Sequence, residues 1–377
     1  MHVCIITSSF PLDPGDGRAA AGLFVRDFAV ALAELGEQVT VLTPDKRGGP
    51  KTDVPGVKTH WFAWRGGDKP LAYLKPWCPL DALAIWSLLR NGRRVLRELA
   101  ASEKFDHVLA MWAVPAGYLA MGLQKQTGTP FTTWCLGSDI WTYGERFGLR
   151  NIVRRVLQRS THVYADGIEL GHAATRLCGR EVPFLPSSRQ LDPTLAALPP
   201  GSKRSFNFLF VGRYAEVKGV DLLLAAMGEV VKSGQDAGLY MFGGGPMEGF
   251  VRDYVAAHDL GERIHVGGYA DLSTFVTHLA FCDCLVIPSR MESIPVAFSD
   301  ALQMGRPLIV SDVGDMGTLL REAPAGYVVE PGDVTELTNA MQRMVMADVA
   351  EFAPHIKTLA QRFELKRTAQ KWLDAVG

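Results

Sequence analysis

A chain of 377 residues is longer than one hydrophobic core usually supports, and its composition (47% hydrophobic, 21% charged, 38 glycines) is that of a globular protein with many loops. The formal net charge of −1 gives no reason to expect a nucleic-acid partner, and no apolar run approaches the roughly 20 residues of a membrane-spanning helix. We therefore expect two domains, and we expect neither nucleic-acid binding nor integration into a membrane.

The charge is unevenly distributed along the chain. Residues 1–190 carry 23 Lys and Arg against 17 Asp and Glu, a net of +6, whereas the remainder carries 16 against 23, a net of −7. This asymmetry indicates either an N-terminal half that meets an anionic partner or two surfaces that evolved independently.

The cysteines and the N-terminus bear on the compartment. The six cysteines form no CxxC pair, and half of them lie in apolar runs where Cys behaves as a small hydrophobic residue. The start, MHVCIITSS, has no basic segment before its short apolar core and is predicted to be a β-strand rather than a signal peptide. We expect a cytoplasmic protein with reduced thiols and no metal site.

Short apolar segments alternate with helical patterns in the first half of the chain. The segment AAAGLFVRDFAVALAELG is predicted to be a helix that ends at Gly36. Five segments have the β-branched composition of parallel strands buried on both faces: HVCIITS, QVTVLTP, HVLAMWA, PFTTWCL and HVYAD.

The alternation begins again after residue 200. Strands are predicted in FNFLFVGRY, AGLYMFGGGP, RIHVGGY, DCLVIPS and RPLIVSD. Residues 185–203, rich in Pro and Ser, are predicted to be a linker. We therefore expect an α/β protein of two Rossmann-like, doubly wound domains, at 1–190 and 203–357, with a helix at about 358–377 that the sequence alone assigns to neither domain.

Two cations follow the first strand of the second half, in FVGRYAEVKG. The strand ends at Gly212, and Arg213 and Lys218 follow five positions apart. Open α/β sheets bind ligands at the carboxyl ends of their strands. A guanidinium and an ammonium that converge there would suit a diphosphate. The alternative is a loop with two solvated cations.

A glycine-rich turn, MFGGGPM, follows the next strand. Its glycines, Gly243 and Gly244 among them, would let backbone N–H groups approach an anion at the start of the following helix. The turn fits neither a P-loop nor a dinucleotide-binding fingerprint. Glycine turns of this kind are common at strand–helix junctions, so the motif alone assigns no ligand.

Two carboxylates flank a strand–helix junction in PSRMESIPVAFSDALQMGRP, residues 288–307. Ser293 as N-cap and Pro295 in the first turn predict the start of a helix. Glu292 would then stand at the carboxyl end of the strand and Asp300 two turns along the helix, facing the same cleft but too far apart to share a proton. The alternative is that Glu292 complements the helix dipole and Asp300 is exposed to solvent.

Taken in order, these motifs resemble a known family. A strand followed by GR-x4-KG, the FGGGP turn, RIHVGGY and PS-x2-E-x7-acid-AL-x2-G-x-P occur with this spacing in the retaining glycosyltransferases of group 1, also called family 4, which have the GT-B fold. The similarity is specific over residues 205–335 and continues more weakly over the N-terminal half. It implies two domains that face each other across a cleft, with the C-terminal helix returning to the first.

The resemblance also implies roles for individual residues. Arg213 and Lys218 would hold the diphosphate of the donor in place of a metal ion. Glu292 would contact the donor sugar, and Asp300 the ribose. The other implied donor-binding residues are Gly267 and Tyr269 near the base, Gly22, Ser293, Ile294 and Pro295 near the phosphates, and the turn glycines Gly212, Gly243 and Gly244.

Several positions depart from the pattern of the family. Asp300 stands where Glu is usual, which implies a shorter or water-mediated ribose contact. Leu136 and Trp112 occupy places where members of the family often have His, so we do not expect chemistry assisted by histidine. The NG-rich stretch that many members have before the linker is replaced by LPSSRQLD.

The implied activity is transfer of a sugar from a nucleotide-diphosphate sugar to a glycan or lipid-linked acceptor, with retention of configuration and without a metal or other cofactor. Fixed cations would stabilise the negative charge that builds on the departing phosphate. Asp139 and Ser138, in GSDIW, are candidates for contact with the acceptor. The alternatives are a nucleotide-sugar epimerase or phosphorylase of similar architecture, or a catalytically silent sugar-binding homologue.

The N-terminal half also contains two basic amphipathic segments. DALAIWSLLRNGRRVLREL (81–99) and ERFGLRNIVRRVLQRS (145–160) combine apolar positions with nine arginines. Such helices would place this domain on the anionic inner face of a membrane, near a lipid-linked acceptor. The alternative is that they are ordinary amphipathic helices covering a Rossmann sheet.

Overall fold

The computed structural model describes residues 1–13, 20–46, 48–67, 69, 71, 74–197 and 204–377. The described chain divides into two units. The first unit runs to Arg189 and takes in Leu365–Gly377, and the second comprises Gln190–Glu364.

The first unit is built on a sheet of six parallel strands. Their order across the sheet is β3-β2-β1-β4-β5-β6. The strands are β1 (His2–Ile6), β2 (Gln38–Asp45), β3 (Val57–Ala63), β4 (His107–Met111), β5 (Phe131–Cys135) and β6 (His162–Ala165). The helices are α1 (Ala20–Glu34), α2 (Pro79–Ser102), α3 (Tyr118–Thr127), α4 (Ser138–Trp141), α5 (Leu149–Arg159) and α6 (Ile168–Cys178).

The second unit repeats this plan. Its six parallel strands are ordered β12-β11-β10-β7-β8-β9. The strands are β7 (Phe206–Val211), β8 (Ala237–Phe242), β9 (Ile264–Val266), β10 (Cys284–Ile287), β11 (Leu308–Ser311) and β12 (Gly326–Val329). The helices are α7 (Val220–Lys232), α8 (Glu248–Ala257), α9 (Leu272–Phe281), α10 (Val296–Gln303), α11 (Met316–Glu322), α12 (Val334–Met346) and α13 (Ala353–Ala360).

Both sheets have the same topology. The first strand of each unit lies at the centre, the second and third follow on one side, and the fourth to sixth lie on the other. The direction of strand addition thus reverses between β1 and β4 in the first unit, and between β7 and β10 in the second. Such a switch point opens a crevice at the carboxyl ends of the two strands. The prediction of two Rossmann-like, doubly wound domains is confirmed.

Burial explains which strands the sequence revealed. All five residues of β4 and of β5 are buried, because helices cover both faces of the sheet. The sequence missed β3 and β12, one edge strand of each sheet, although it predicted the other two edge strands, β6 and β9. Most residues of β3 and β12 are only partly buried, so these strands lack the continuous apolar run that marks a central strand.

The predicted linker is largely packed structure. Residues 185–189 are buried in the first unit. In the second unit, the Leu191 backbone N–H donates to the side-chain oxygen of Gln303, and that of Ala197 to the hydroxyl of Thr277. The rest of the predicted linker, residues 198–203, lies outside the described residues. Over residues 185–197, the lack of periodicity therefore reflects irregular backbone rather than a free tether.

The C-terminal helix is two helices rather than one. After α13 comes a short 3-10 turn (Gln361–Phe363), and α14 (Leu365–Val376) begins after Glu364. The chain returns to the first unit at Leu365 instead of at about 358. There Trp372 is fully buried, with its ring edge-on to Phe28 of α1 at 6.2 Å and to His107 of β4 at 5.5 Å.

Candidate functional site

The switch point of the second unit brings a cation and a carboxylate together. Lys218 follows β7 and Glu292 follows β10, and these strands are parallel neighbours. The Lys218 Nζ and the Glu292 Oε2 form an ion pair. The two side chains remain 26% and 18% exposed, so solvent or a ligand can reach both. The sequence assigned Lys218 to the diphosphate and Glu292 to the sugar of one donor; in the structure the two side chains are direct partners.

A glycine holds the turn that presents Lys218. This residue ends a 3-10 turn (Glu216–Lys218), and Gly219 follows in the left-handed region with φ +66°. A Cβ at Gly219 would overlap the carbonyl oxygen of Pro288, the first residue after β10. Only glycine allows this approach without strain. The final glycine of the VKG motif thus lets the loop after β7 lie directly against the loop after β10.

Arg290 fastens the same two loops, and the sequence analysis did not single it out. Its Nη1 and Nη2 donate to the two carboxylate oxygens of Asp221 at 2.8 and 2.6 Å, and Nη1 also donates to the Glu216 carbonyl at 2.7 Å. Its backbone N–H donates to the Val217 carbonyl at 2.8 Å. This bidentate pair lowers the pKa of Asp221. The sequence did offer one signal for Arg290, namely its position in PSRMES, between the end of β10 and Glu292.

A second glycine supports Glu292 from the other side. Gly314, in the loop after β11, has φ +55°, and a Cβ there would come within 2.5 Å of the Glu292 carbonyl oxygen and 2.6 Å of that of Ser293. The segment that carries Glu292 is therefore held between Gly219 and Gly314. This confinement fixes the backbone at the switch point while leaving the Glu292 carboxylate partly exposed.

The glycine-rich turn after β8 forms the next wall of the crevice. Gly243 and Gly245 both have φ +147°, and a Cβ at Gly243 would overlap the Gly212 carbonyl oxygen. The Gly243 N–H donates to the Gly268 carbonyl at 3.0 Å, and the Gly212 N–H to the Phe242 carbonyl at 3.0 Å. A Cβ at Gly245 would also lie 2.9 Å from Cγ of Arg213, an exposed residue. These contacts place the aliphatic stem of Arg213 against the glycine turn.

Tyr214 is a second residue that the sequence analysis missed. Its ring is fully buried, and its single hydroxyl proton is shared between the carbonyl oxygens of Met241 at 2.9 Å and Gly267 at 3.1 Å. Its backbone N–H donates to the Gly244 carbonyl at 2.9 Å. Burial raises the pKa of this hydroxyl well above its usual value. Tyr214 therefore ties the ends of β7, β8 and β9 together beneath the predicted donor site.

The residues predicted to lie beside a base are next to that turn. The ring of Tyr269 is 55% exposed, and a Cβ at Gly244 would come within 2.8 Å of its Cε2. Gly267 donates its N–H to the Met241 carbonyl at 2.8 Å, and a Cβ there would lie 2.5 Å from the Phe242 ring. The structure thus brings Gly244, Gly267 and Tyr269 together at the ends of β8 and β9. Contact with a base stays a prediction.

The junction before α10 differs from its prediction. The helix begins at Val296, with Pro295 in the N-cap position and no side-chain cap, so Ser293 is not the N-cap. The reason is that Pro295 is extended (φ −68°, ψ 145°), which delays the helix by two residues. Ser293 and Ile294 are buried, 7% and 5% exposed. Their predicted place near the phosphates is untested.

Asp300 has no exposed surface, which rules out the solvated alternative considered for it. It lies on α10, a short helix with Ser299 and Phe298 also buried. Burying a carboxyl group costs free energy unless hydrogen bonds or an ion pair compensate for the lost water. Its predicted contact with a ribose stays a prediction.

In the first unit, Gly22 lies on α1 against the loop after β1. A Cβ at Gly22 would come within 3.0 Å of the backbone N and Cα of Phe10. The close approach of helix and loop accounts for the glycine. Residues 14–19 of this loop lie outside the described residues, and the contact of Gly22 with phosphates stays a prediction.

Asp139 has a structural role that its sequence context did not reveal. Its carboxylate is fully buried, with Oδ2 accepting from the Ala113 N–H at 2.8 Å and Oδ1 from the Leu136 N–H at 3.2 Å. Burial raises the pKa of this carboxyl to about 6, although the backbone donors oppose the shift. Asp139 thus ties the loop after β4 to the loop after β5. Its contact with an acceptor, like that of Ser138 at the start of α4, stays a prediction.

The described residues contain no group of three or more His, Cys, Asp or Glu side chains arranged to hold a metal ion. Within the same residues, no helix has both the length and the apolar character required to cross a bilayer.

Each of the two units matches a family model of glycosyltransferases. The family described as "Glycosyl transferases group 1" matches residues 205–347, and the "Glycosyl transferase 4-like domain" matches residues 20–176. Among curated relatives, the alpha-D-kanosaminyltransferase of Streptomyces kanamyceticus is 28% identical over 137 residues, and the chain spans 36% of that relative's length.

Solved structures match over almost the whole chain. Sucrose-phosphate synthase from Thermosynechococcus elongatus is 18% identical with a TM-score of 0.76, and the match covers 99% of this chain and 97% of that one. HepE of Anabaena, solved in complex with UDP and glucose, is 16% identical with a TM-score of 0.70, covering 99% and 98%. At these identities the likeness shows the fold alone.

Proposed function

We propose that this chain, which belongs to the group 1 glycosyltransferases and has their GT-B fold, transfers a sugar from a nucleotide-diphosphate sugar to an acceptor. The observation that carries the proposal is the ion pair between Lys218 and Glu292 at the switch point of the second unit. It sets a cation and a carboxylate side by side at the carboxyl ends of two central strands, where α/β sheets bind ligands.

The donor diphosphate would bind beside Lys218 and Arg213. Both cations lie in the loop after β7, and Arg213 stands against the glycine turn whose open backbone suits the close approach of an anion. UDP is bound by the Anabaena neighbour, which supports a uridine nucleotide as the first donor to test. Arg213 can engage two phosphate oxygens with its planar fork, whereas Lys218 acts as a compact charge.

The ion pair suggests how the site would respond to a donor. Without ligand, Glu292 neutralises Lys218. A diphosphate would offer Lys218 a more highly charged partner, and Glu292 would then be available to accept hydrogen bonds from the hydroxyls of the sugar. As the bond between sugar and phosphate breaks, negative charge grows on the leaving oxygen beside Lys218 and Arg213. Fixed cations stabilise that charge without reorganisation.

We infer that the transfer is metal-independent and retains the anomeric configuration. The two cations supply the charge that a metal ion would otherwise supply to the diphosphate. Retention would proceed by attack on the face from which the phosphate leaves, with the departing phosphate as the base. This finer part of the proposal rests on the motif resemblance together with the cations at the switch point.

The acceptor side of the proposal concerns the first unit. Its basic helices α2 and α5 suit an acceptor linked to an anionic lipid at the inner face of a membrane, or an anionic glycan. Nothing in the described residues favours the epimerase or the silent sugar-binding homologue.

Thermal unfolding with a panel of nucleotides tests the donor site. UDP, GDP, ADP and dTDP, and their glucose derivatives, are added in the presence of EDTA. One nucleoside diphosphate should raise Tm clearly more than its monophosphate, because a ligand that binds only the folded state stabilises it. NMR of the product formed from that donor then reports the anomeric configuration. A Tm that no nucleotide shifts, with or without added Mg²⁺, would contradict the proposal.

A further inference from the structure

On the exposed surface of helix α2 of the first unit, apolar side chains precede cationic ones along the helix. Near its start are the exposed residues Leu80, Leu83 and Trp86, which are 77%, 39% and 52% exposed. Arg90, Arg93, Arg94 and Arg97 follow toward its end. At 1.5 Å per residue, the stretch from Leu83 to Arg97 is about 21 Å long. The buried face of α2, which includes Ala84, Leu88, Leu96 and Leu99, runs along the whole helix as in any helix that covers a sheet, so the sorting concerns the exposed residues alone.

An apolar cavity lies beside the first part of this helix. Its volume is about 340 Å³, within the range of small-molecule sites. Side chains from four segments of the first unit enclose it, and the only charged group among them is Arg146 of the segment before α5. The lining residues are Leu71, Leu74, Pro76, Ile85, Leu88, Leu89, Val114, Pro115, Tyr118, Tyr143, Arg146, Leu149 and Ile152.

A cationic groove adjoins this cavity. It is lined by the four arginines of α2 with Trp86, Leu89, Glu98 and Tyr118, so that Leu89 and Tyr118 belong to both spaces. Its charged residues sum to +3, because Glu98 is the one acid and pairs only loosely with Arg94 at 3.9 Å. Arg90 lies over the ring of Trp86 at 4.9 Å, and Arg93 over that of Tyr118 at 5.6 Å. Stacking holds these guanidinium groups at the mouth of the apolar cavity.

We propose that this pair of spaces binds an anionic amphiphile, with its apolar chain in the cavity and its phosphate on the arginines of α2. The charge and the polarity of the two spaces complement the two ends of such a molecule. The exposed rings of Trp77 and Phe147, 77% and 104% exposed, belong to the segments that precede α2 and α5. Aromatic side chains of this kind lie at a membrane interface while the chain of one lipid enters the protein. The occupant is therefore a phospholipid of the bilayer.

This proposal goes beyond sugar transfer and does not depend on it. Electrostatic attraction of a basic face to a membrane needs no cavity, whereas the site proposed here recognises one chain and one headgroup together. The distinguishing property is that both ends of the ligand are required.

Titration calorimetry with dodecyl phosphate below its micellar concentration tests this property. The full chain should bind dodecyl phosphate at least about tenfold more tightly than inorganic phosphate and than dodecyl maltoside, since each methylene buried contributes to affinity. Equal affinity for inorganic phosphate would overturn the role of the cavity. Equal affinity for the maltoside would overturn the role of the arginines.

Two variants localise the binding. Ile85→Trp fills the cavity and should reduce affinity for dodecyl phosphate about tenfold toward that of inorganic phosphate. Arg93→Ala with Arg94→Ala should remove the preference over the maltoside. The matched controls are Leu35→Trp, at an exposed site on the first unit, and Lys366→Ala with Arg367→Ala, an exposed adjacent pair on α14 of the same unit. Wild-type affinity in both test variants, or an equal loss of affinity in the controls, would overturn the assignment. If a variant does not fold, the comparison of the three ligands on the wild-type chain still tests the proposal.

Discussion

The switch points of the two units occupy the same place in the same topology but are lined by different chemistry. In the second unit, the ends of β7 and β10 present an ion pair, Lys218 with Glu292, that is partly exposed. In the first unit, Asp139 lies beside the end of β4, one of the two strands at the switch point, and it is fully buried and bonded to backbone N–H groups. One strand order thus carries a site for charge recognition in one unit and a structural tie in the other.

The difference shows that the fold sets the position of a binding crevice but not the side chains that line it. Strand order decides where a crevice opens, whereas the loops after the strands decide what lines it. In the second unit, glycines at positions 219 and 314 permit three loops to approach one another so closely that charged side chains meet at the edge of the sheet. We therefore expect variants at the two switch points to affect different properties: turnover in the second unit and stability in the first.

The largest expected effect is the loss of sugar transfer when the ion pair is altered. Lys218→Ala removes a cation that would stabilise the leaving phosphate, and Glu292→Gln removes the acceptor for the hydroxyls of the sugar. Each should lower kcat/KM about 10²–10³-fold, the range found when one charge-stabilising group is deleted. Steady-state transfer from the donor identified by thermal unfolding measures this.

Lys232→Ala is the matched control, because Lys232 pairs with Glu229 on the exposed surface of the same unit. It should retain full turnover. Near wild-type activity in both site variants would remove the functional distinction between the two switch points.

Asp139 should affect stability as a function of pH. Its folded pKa of about 6 lies above the ordinary 3.8, so between these values the folded state holds a proton that the unfolded state has lost. The free energy of unfolding therefore falls as pH rises through this window. At about 1.4 kcal/mol per pKa unit, the contribution is on the order of 3 kcal/mol. Asp139→Asn lacks this titration, so its stability relative to wild type should rise by that amount from pH 4 to pH 7.

Urea unfolding of both proteins across that pH range measures the difference. Asp53→Asn, at an exposed position of the same unit, is the control and should show no comparable trend. The prediction is wrong if the stability difference between wild type and Asp139→Asn does not change with pH. In that case the Asp139 carboxylate ionises at little cost, and its burial does not distinguish the first unit from the second.

The sequence predicted the components of the site better than their arrangement. Lys218 and Glu292 could each be placed at the carboxyl end of a strand, because strand ends are visible as apolar runs followed by glycine or proline. Their pairing could not, since it depends on β7 and β10 being neighbours although 74 positions separate the two residues. The link between Arg290 and Asp221 was missed for the same reason, as each alone has the appearance of a surface charge.

Similar limits apply to the fold. Central strands were predicted because burial on both faces requires a continuous apolar sequence. The strands β3 and β12 were missed because most of their residues are only partly buried, so a continuous apolar sequence is not required of them. The break at Glu364 was missed because the apolar positions on both sides of it fit a single amphipathic pattern, while the two helices pack in different units. Local pattern gives no information on which core a helix joins.

The smallest effect expected concerns the close contact between loops at the second switch point. Gly219 and Gly234 both have a left-handed backbone, with φ +66° and +83°, so alanine at either position costs about 1 kcal/mol in strain. At Gly219 the new Cβ would also overlap the Pro288 carbonyl, whereas at Gly234 nothing lies within 4 Å. Gly219→Ala should therefore lower the free energy of unfolding by about 2 kcal/mol more than Gly234→Ala, as overpacking does in rigid surroundings. Equal losses in urea unfolding would mean that the loop after β10 yields freely, and that the position of Glu292 is not fixed by the backbone around it.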